Sequence, residues 1–230
     1  MTRRRRRTEE ERVALLAAAL ARPDASWDEL LTAVAYWPED QHPERGVATL
    51  EAAASRFDAY TRSPSAAVLR ELSRGVVGPY LRLIRWIDLR PLWEVRRRDL
   101  LFRRVVLEGG ARELHGFETR YDHGIGHFET LTRHVHGLRY LYVGMSGIGS
   151  PELRALAEAP SSATLEHLSL HNNVIEDDGA QAMLESPHLV GLRYINLYGN
   201  RLSERMVERL HAAPQWRDAW IIAHRQGCYY

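Results

Sequence analysis

The sequence predicts an α/β solenoid in which short parallel strands form a concave sheet, helices line the convex side, and an all-α amino-terminal cap closes one end. Three observations predict it. Segments starting at Leu138, Leu165 and Leu192, spaced 27 residues apart, read LRYLYVGMSGI, LEHLSLHNNVI and LRYINLYGNRL and match position by position. Each is followed by a helix-forming stretch (ELRALAEA, GAQAML, ERMVERL) that brings Leu156, Met183 and Leu210 to the same offset. Residues 1–75 carry helix-start signals and proline punctuation without a strand pattern. One strand–turn–helix unit cannot bury its own leucines, whereas stacked neighbours give them a continuous core.

Taken in order, residues 1–75 read as a basic tail and a helical cap. Thr8 with Glu11 forms a capping-box pattern before VALLAAAL, and Ser26 with Glu29 forms another before LLTAVAY. Pro23, Pro38, Pro43 and Pro64 punctuate the segment into four short helices. The solenoid spans residues 76–215. Its first unit lies two periods before Leu138, where Ile84, Ile87 and Leu89 repeat the apolar skeleton. A degenerate unit follows at irregular spacing, with Leu114, Phe117 and Thr119 in the strand positions and Asp122 near the turn. After the three clear units, residues 216–230 supply a last capping strand, WRDAWII, and a tail.

Residues 165–175 and 192–202 resemble the leucine-rich repeat family, whose signature is L-x-x-L-x-L-x-x-N-x-L, and the period of 27 resembles its long, helix-containing subclass. The arrangement is similar to bacterial proteins in which a small helical domain precedes such repeats. The resemblance implies that Asn173 and Asn200 hydrogen-bond backbone groups in the turns between neighbouring repeats. The first clear copy has Ser146 at that position, which replaces the asparagine only in part.

Composition bounds the function. At 230 residues, with a formal net charge of +1, the chain carries no strong electrostatic drive toward nucleic acid or anionic membrane. All 31 basic residues are Arg, and the run at residues 3–7 lacks the aromatic interleaving of a nucleic-acid site, so it reads as a solvated tail. The single cysteine, Cys228, excludes an intramolecular disulfide framework and fits a reducing compartment, so the cytoplasm is expected. The acidic run at residues 9–11 interrupts any secretory-signal pattern, and no stretch is long and apolar enough to span a bilayer.

Candidate binding residues follow from strand periodicity, because side chains between the buried leucines point out of the concave face. They are Tyr140, Tyr142 and Gly144; His167, Ser169 and His171; and Tyr194, Asn196 and Tyr198. The weaker units add Trp86, Asp88 and Arg90, then Glu118 and Arg120, then Asp218 and Trp220. With strands about 4.8 Å apart, Tyr142, Ser169 and Asn196 form one expected row and Tyr140, His167 and Tyr194 another. Tyr and Trp dominate interaction hot spots, so the face reads as a protein or peptide docking surface. The alternative is that these rings brace one another along the sheet as cross-strand pairs. His167 and His171 make the face a candidate for pH-sensitive binding.

Three further features bear on chemistry. The stretch at residues 115–136 holds His115, His123, His127, His134 and His136, and His123 with His127 has the spacing of two ligands on one helix face. Two glycines interrupt that helix, and no Glu follows the first His as a zincin motif requires, so no metal or other cofactor is expected. No nucleophile elbow, phosphate-binding loop or dinucleotide fingerprint is present. Ser169 and its flanking histidines sit about 7 Å apart on an ideal strand, too far for a direct hydrogen bond without special rotamers. The tail RQGCYY offers Cys228 as a modifiable group. The sequence therefore predicts a non-catalytic interaction protein, and the alternative is an accessory or carrier protein of a biosynthetic or metal-dependent enzyme system using residues 115–136 or the Cys228 tail.

Overall fold

The computed structural model describes residues 7–92, 95, 98–121 and 125–224. Most of the basic tail therefore lies outside the described residues. Four helices lead the chain: α1 Glu9–Ala21, α2 Trp27–Ala35, α3 Pro43–Ala52 and α4 Ala66–Ser73. At the start of α1 the Thr8 hydroxyl accepts from the Glu11 N–H at 3.3 Å and the Glu11 carboxylate accepts from the Thr8 N–H at 2.9 Å, closing the expected box. α2 has only half of its expected box. Ser26 Oγ accepts from the Glu29 N–H at 3.2 Å, while the Glu29 carboxylate turns to Arg22. Sequence reasoning missed the cap of α4, where Ser65 Oγ accepts from the Val68 N–H at 3.1 Å and from the Thr32 hydroxyl at 2.9 Å, tying α4 to α2.

Six parallel strands follow in chain order: β1 Trp86–Asp88, β2 Gly116–Arg120, β3 Tyr140–Gly144, β4 His167–Ser169, β5 Tyr194–Asn196 and β6 Trp220–Ile222. They form one open sheet in the order β1-β2-β3-β4-β5-β6. Helices α5 Arg98–Leu107, α6 Ile125–His134, α7 Ser150–Glu158, α8 Asp177–Glu185 and α9 Glu204–His211 connect successive strands. The result is a solenoid-like α/β fold. The register shows why the second unit looks irregular. Trp86 pairs with Gly116 and Gly116 with Tyr140, steps of 30 and 24 residues that together make two periods of 27.

The repeated leucines lie between sheet and helices. Leu141, Val143, Leu168, Leu170, Ile195 and Leu197 have no solvent exposure, and one apolar core runs from Leu16 to Ala223. Truncating a residue placed like Leu168 to Ala costs roughly 2–5 kcal/mol.

The turns after β3 and β4 are each stabilised by the next repeat. Asn173 Oδ1 accepts from the N–H groups of Ser146 (2.9 Å) and Ile148 (3.1 Å), and its Nδ2 donates to the carbonyls of Val143 (2.8 Å) and Leu170 (2.9 Å). Asn200 repeats the pattern one unit on, accepting from Ile175 N–H at 3.1 Å and donating to Leu170 and Leu197 carbonyls at 2.9 and 2.8 Å. Ser146 donates to the Gly144 carbonyl at 2.8 Å, inside its own turn. The residue before this position is left-handed in four units, with φ of 53° at Tyr121, 53° at Met145, 52° at Asn172 and 70° at Gly199. Only Gly199 adopts that conformation without a steric cost.

The amino-terminal region continues the backbone pattern of the sheet. The Glu166 carbonyl accepts from Arg193 and Tyr194 N–H at 2.7 and 3.1 Å, the Arg139 carbonyl from Glu166 and His167 at 3.0 and 2.9 Å, and the Arg85 carbonyl from His115 and Gly116 at 2.7 and 3.1 Å. One step earlier, the Arg62 carbonyl accepts from Arg85 and Trp86 at 2.8 and 3.3 Å, so a loop between α3 and α4 occupies the place of a preceding unit. The Arg62 guanidinium donates to the Leu83 carbonyl at 3.1 and 2.8 Å, which fixes this loop. At the other end the expected last strand is shorter than WRDAWII. Residues 214–216 form a 3₁₀ turn whose Trp216 is buried and donates to the Leu189 carbonyl at 2.7 Å, and Asp218 is an exposed turn residue outside β6. Among the described residues no helix is long and apolar enough to cross a membrane.

Candidate binding surface on the concave sheet

The pairing register aligns Trp86, Gly116, Tyr140, His167, Tyr194 and Trp220 in one row across all six strands. Their rings form a continuous ladder. Centroid separations are 5.5 Å for Trp86–Tyr140, 4.7 Å for Tyr140–His167, 5.8 Å for His167–Tyr194 and 5.6 Å for Tyr194–Trp220. The two contacts of His167 are stacked, with interplanar angles of 29° and 26°. Strand β2 contributes no ring, yet the ladder does not break there. A β-carbon on Gly116 would lie 2.1 Å from Trp86 Cε3, so the indole occupies the space that a side chain on β2 would fill. Tyr60, from the loop that carries Arg62, adds a further ring 4.8 Å from Trp86.

The cross-strand bracing considered as an alternative is therefore present, worth about 0.5–1.5 kcal/mol per pair beyond area burial. It does not bury the face. Tyr140, Tyr142, His167 and Tyr194 remain half-buried and Trp220 is 68% exposed, while Trp86 is covered by its neighbours.

The next row aligns Asp88, Glu118, Tyr142, Ser169, Asn196 and Ile222. Ile222 is a member that sequence reasoning missed, because the expected strand started too early. Arg90 joins the two carboxylates, 2.8 Å from Asp88 and 2.8 Å from Glu118. Burial pushes the Glu118 carboxyl above its ordinary value, against the lowering effect of Arg90. Burial among Tyr140, Tyr194 and Glu118 also raises the Tyr142 hydroxyl to about 12, so it stays a neutral donor. Asn196 accepts from the Tyr198 N–H at 3.1 Å and donates to the Tyr194 hydroxyl at 3.3 Å, linking the two rows.

Arg120 and Gly144 pair as the last residues of β2 and β3, and Arg90, His171 and Tyr198 lie just beyond the ends of β1, β4 and β5. Here the distance argument made from an ideal strand fails. Ser169 Oγ lies 3.1 Å from His171 Nδ1. His171 has left the strand, and its ring folds back over Gly144, where a β-carbon would come 2.3 Å from its Cε1. The missing side chain thus creates the rotamer that joins the pair. Burial, then the charge of Arg120, lowers the pKa of His171; burial lowers that of His167. A depression of about 460 Å³ opens here, lined by residues of β2 to β5.

The described histidines of residues 115–136, His115, His127, His134 and His136, do not form one cluster. His127 is fully buried in the core, 5.5 Å from the Phe102 ring and 5.3 Å from Phe117. His134 is half-buried at the end of α6 and His136 is exposed after it. Among the described residues no group of three or more His, Cys, Asp or Glu side chains is placed to hold a metal ion. His123, Asp122 and Cys228 lie outside the described residues.

A scan of the chain against protein-family models and a search of curated proteins each find no match.

Proposed function

We propose that this chain is a leucine-rich repeat protein with a helical amino-terminal cap, and that it acts without catalysis by docking a protein or peptide on its concave sheet. The observation that carries the reading is the ladder from Tyr60 to Trp220, an aromatic surface crossing every strand and left half-open to solvent. Stacking fixes the rings before a partner arrives, which lowers the ordering cost of binding. Aromatic rings held in this way, with polar groups beside them, are the composition of interaction hot spots. The repeated geometry of the Asn173 and Asn200 turns supports the family, and the Arg62 carbonyl standing in for a preceding unit supports the cap.

The test is site-specific photocrosslinking in extracts of the cell that makes the protein. A crosslinker at Trp220, on the concave row, captures a partner, and one at Glu185, exposed on α8, does not. Equal capture from both positions, or from Glu185 alone, contradicts the reading.

A further inference from the structure

The depression at the centre of the concave sheet has a chemical bias that the aromatic ladder lacks. Hydrogen-bond donors converge on it: the Arg120 guanidinium, the Tyr142 hydroxyl, the Asn196 amide and whichever of Ser169 and His171 accepts in the bond between them line, with the Glu118 carboxylate, a depression of about 460 Å³. The nearby carboxylates are already engaged. Asp88 and Glu118 each lie 2.8 Å from Arg90, whereas Arg120 makes a looser contact with Glu118 at 3.8 Å and keeps 44% of its side chain exposed. Arg90 and Arg120 together balance the two acids, so the cluster has no net negative charge to draw a cation, and Arg120, held by Glu118 only at 3.8 Å, is the guanidinium in the wall that an incoming anion can reach. The floor is preorganised too, because the bare Gly144 admits the His171 ring and Ser169 holds it at 3.1 Å.

We propose that this pocket is a carboxylate subsite, seating one Asp or Glu side chain from the interior of a peptide bound along the sheet. The proposal rests on the docking reading above. An interior residue is specified because the ladder continues past the pocket on both sides, to Trp86 in one direction and Trp220 in the other. A chain lying along the row therefore passes through the pocket rather than ending in it. Charge-assisted hydrogen bonds from a guanidinium to a carboxylate are among the strongest available to such a site.

A displayed library of random peptides, about seven residues long to match six strands at about 4.8 Å spacing, tests it when panned on the full chain and on Arg120→Gln. The expected result is enrichment of an acidic residue at one fixed position on the parent chain, lost on Arg120→Gln while the apolar positions persist. Replacing that acid by its amide in a selected peptide weakens binding to the parent chain by about tenfold or more and has little effect on Arg120→Gln. The amide swap on the parent chain needs no protein variant, so the test survives even if Arg120→Gln fails to fold. Peptides that lose affinity for the Tyr142→Ala/Tyr194→Ala chain but show no acidic preference overturn the subsite and leave the docking surface standing. Peptides indifferent to that double substitution, or no enrichment at all, overturn both.

Discussion

The indole of Trp86 lies over Gly116, where a β-carbon would approach its Cε3 to 2.1 Å. This one contact carries the aromatic ladder across a strand that has no ring of its own. Gly116→Ala must displace Trp86 from Tyr140, opening the ladder between β1 and β3. The expected cost is about 1–3 kcal/mol of overpacking, read as a lower denaturation midpoint together with a changed tryptophan emission spectrum.

Asn173 joins two repeats through four buried backbone groups. Asn173→Ala leaves the Ser146 and Ile148 N–H groups and the Val143 carbonyl short of a partner, and each orphaned group costs about 1–3 kcal/mol. Ser146→Ala removes one donor, to the Gly144 carbonyl, and is expected to cost about 1 kcal/mol. Urea denaturation of the two variants should rank them in that order.

The left-handed turns of two repeats make opposite predictions. At Met145, with φ of 53°, substitution by Gly relieves a strained backbone and should stabilise the chain by up to about 1 kcal/mol after the entropy of Gly is deducted. Gly199→Ala destabilises, because φ is 70° and the new β-carbon would lie 2.0 Å from Asn172 Oδ1. Thermal melts of the pair check the sign of each effect.

These comparisons also show what the sequence made legible. The leucine skeleton is visible because buried positions repeat at a fixed interval of 27, and the strand position at Ile87 follows from it, two intervals before Leu141, whereas Phe117 is displaced from the interval and is found by pattern alone. The ladder across β2 is not visible, because it depends on a missing side chain at Gly116 and a neighbour that leans into the space. The Ser169–His171 bond was hidden for the same reason, since the spacing of an ideal strand ceases to apply once the chain turns over Gly144. The Arg62 rung uses a backbone carbonyl, which no residue pattern records. The burial of His127 beside Phe102 and Phe117 was not legible either, because its sequence spacing to His123 says nothing of what packs around it.

Acidification should weaken the fold. Burial depresses the pKa values of His167 and His171 in the folded chain, and Arg120 adds to the effect on His171. The unfolded chain takes up these protons near pH 6.5 while the folded chain resists them, so stability is full above about 6.5 and is lost as pH falls through the folded values. Urea midpoints measured from about pH 7 down to about pH 5.5 should decline. His171→Gln should flatten the decline, and an equally steep slope in that variant would place the titrating group elsewhere.

The claim that the concave aromatic face is the docking surface is tested most directly by the affinity of a captured partner for Tyr142→Ala/Tyr194→Ala, read beside the melting temperature. Binding should weaken by about 2 kcal/mol or more, while the variant retains a cooperative melt lowered by only a few degrees. Unchanged affinity, or a chain that no longer folds, would contradict the account and leave the rings as braces of the sheet.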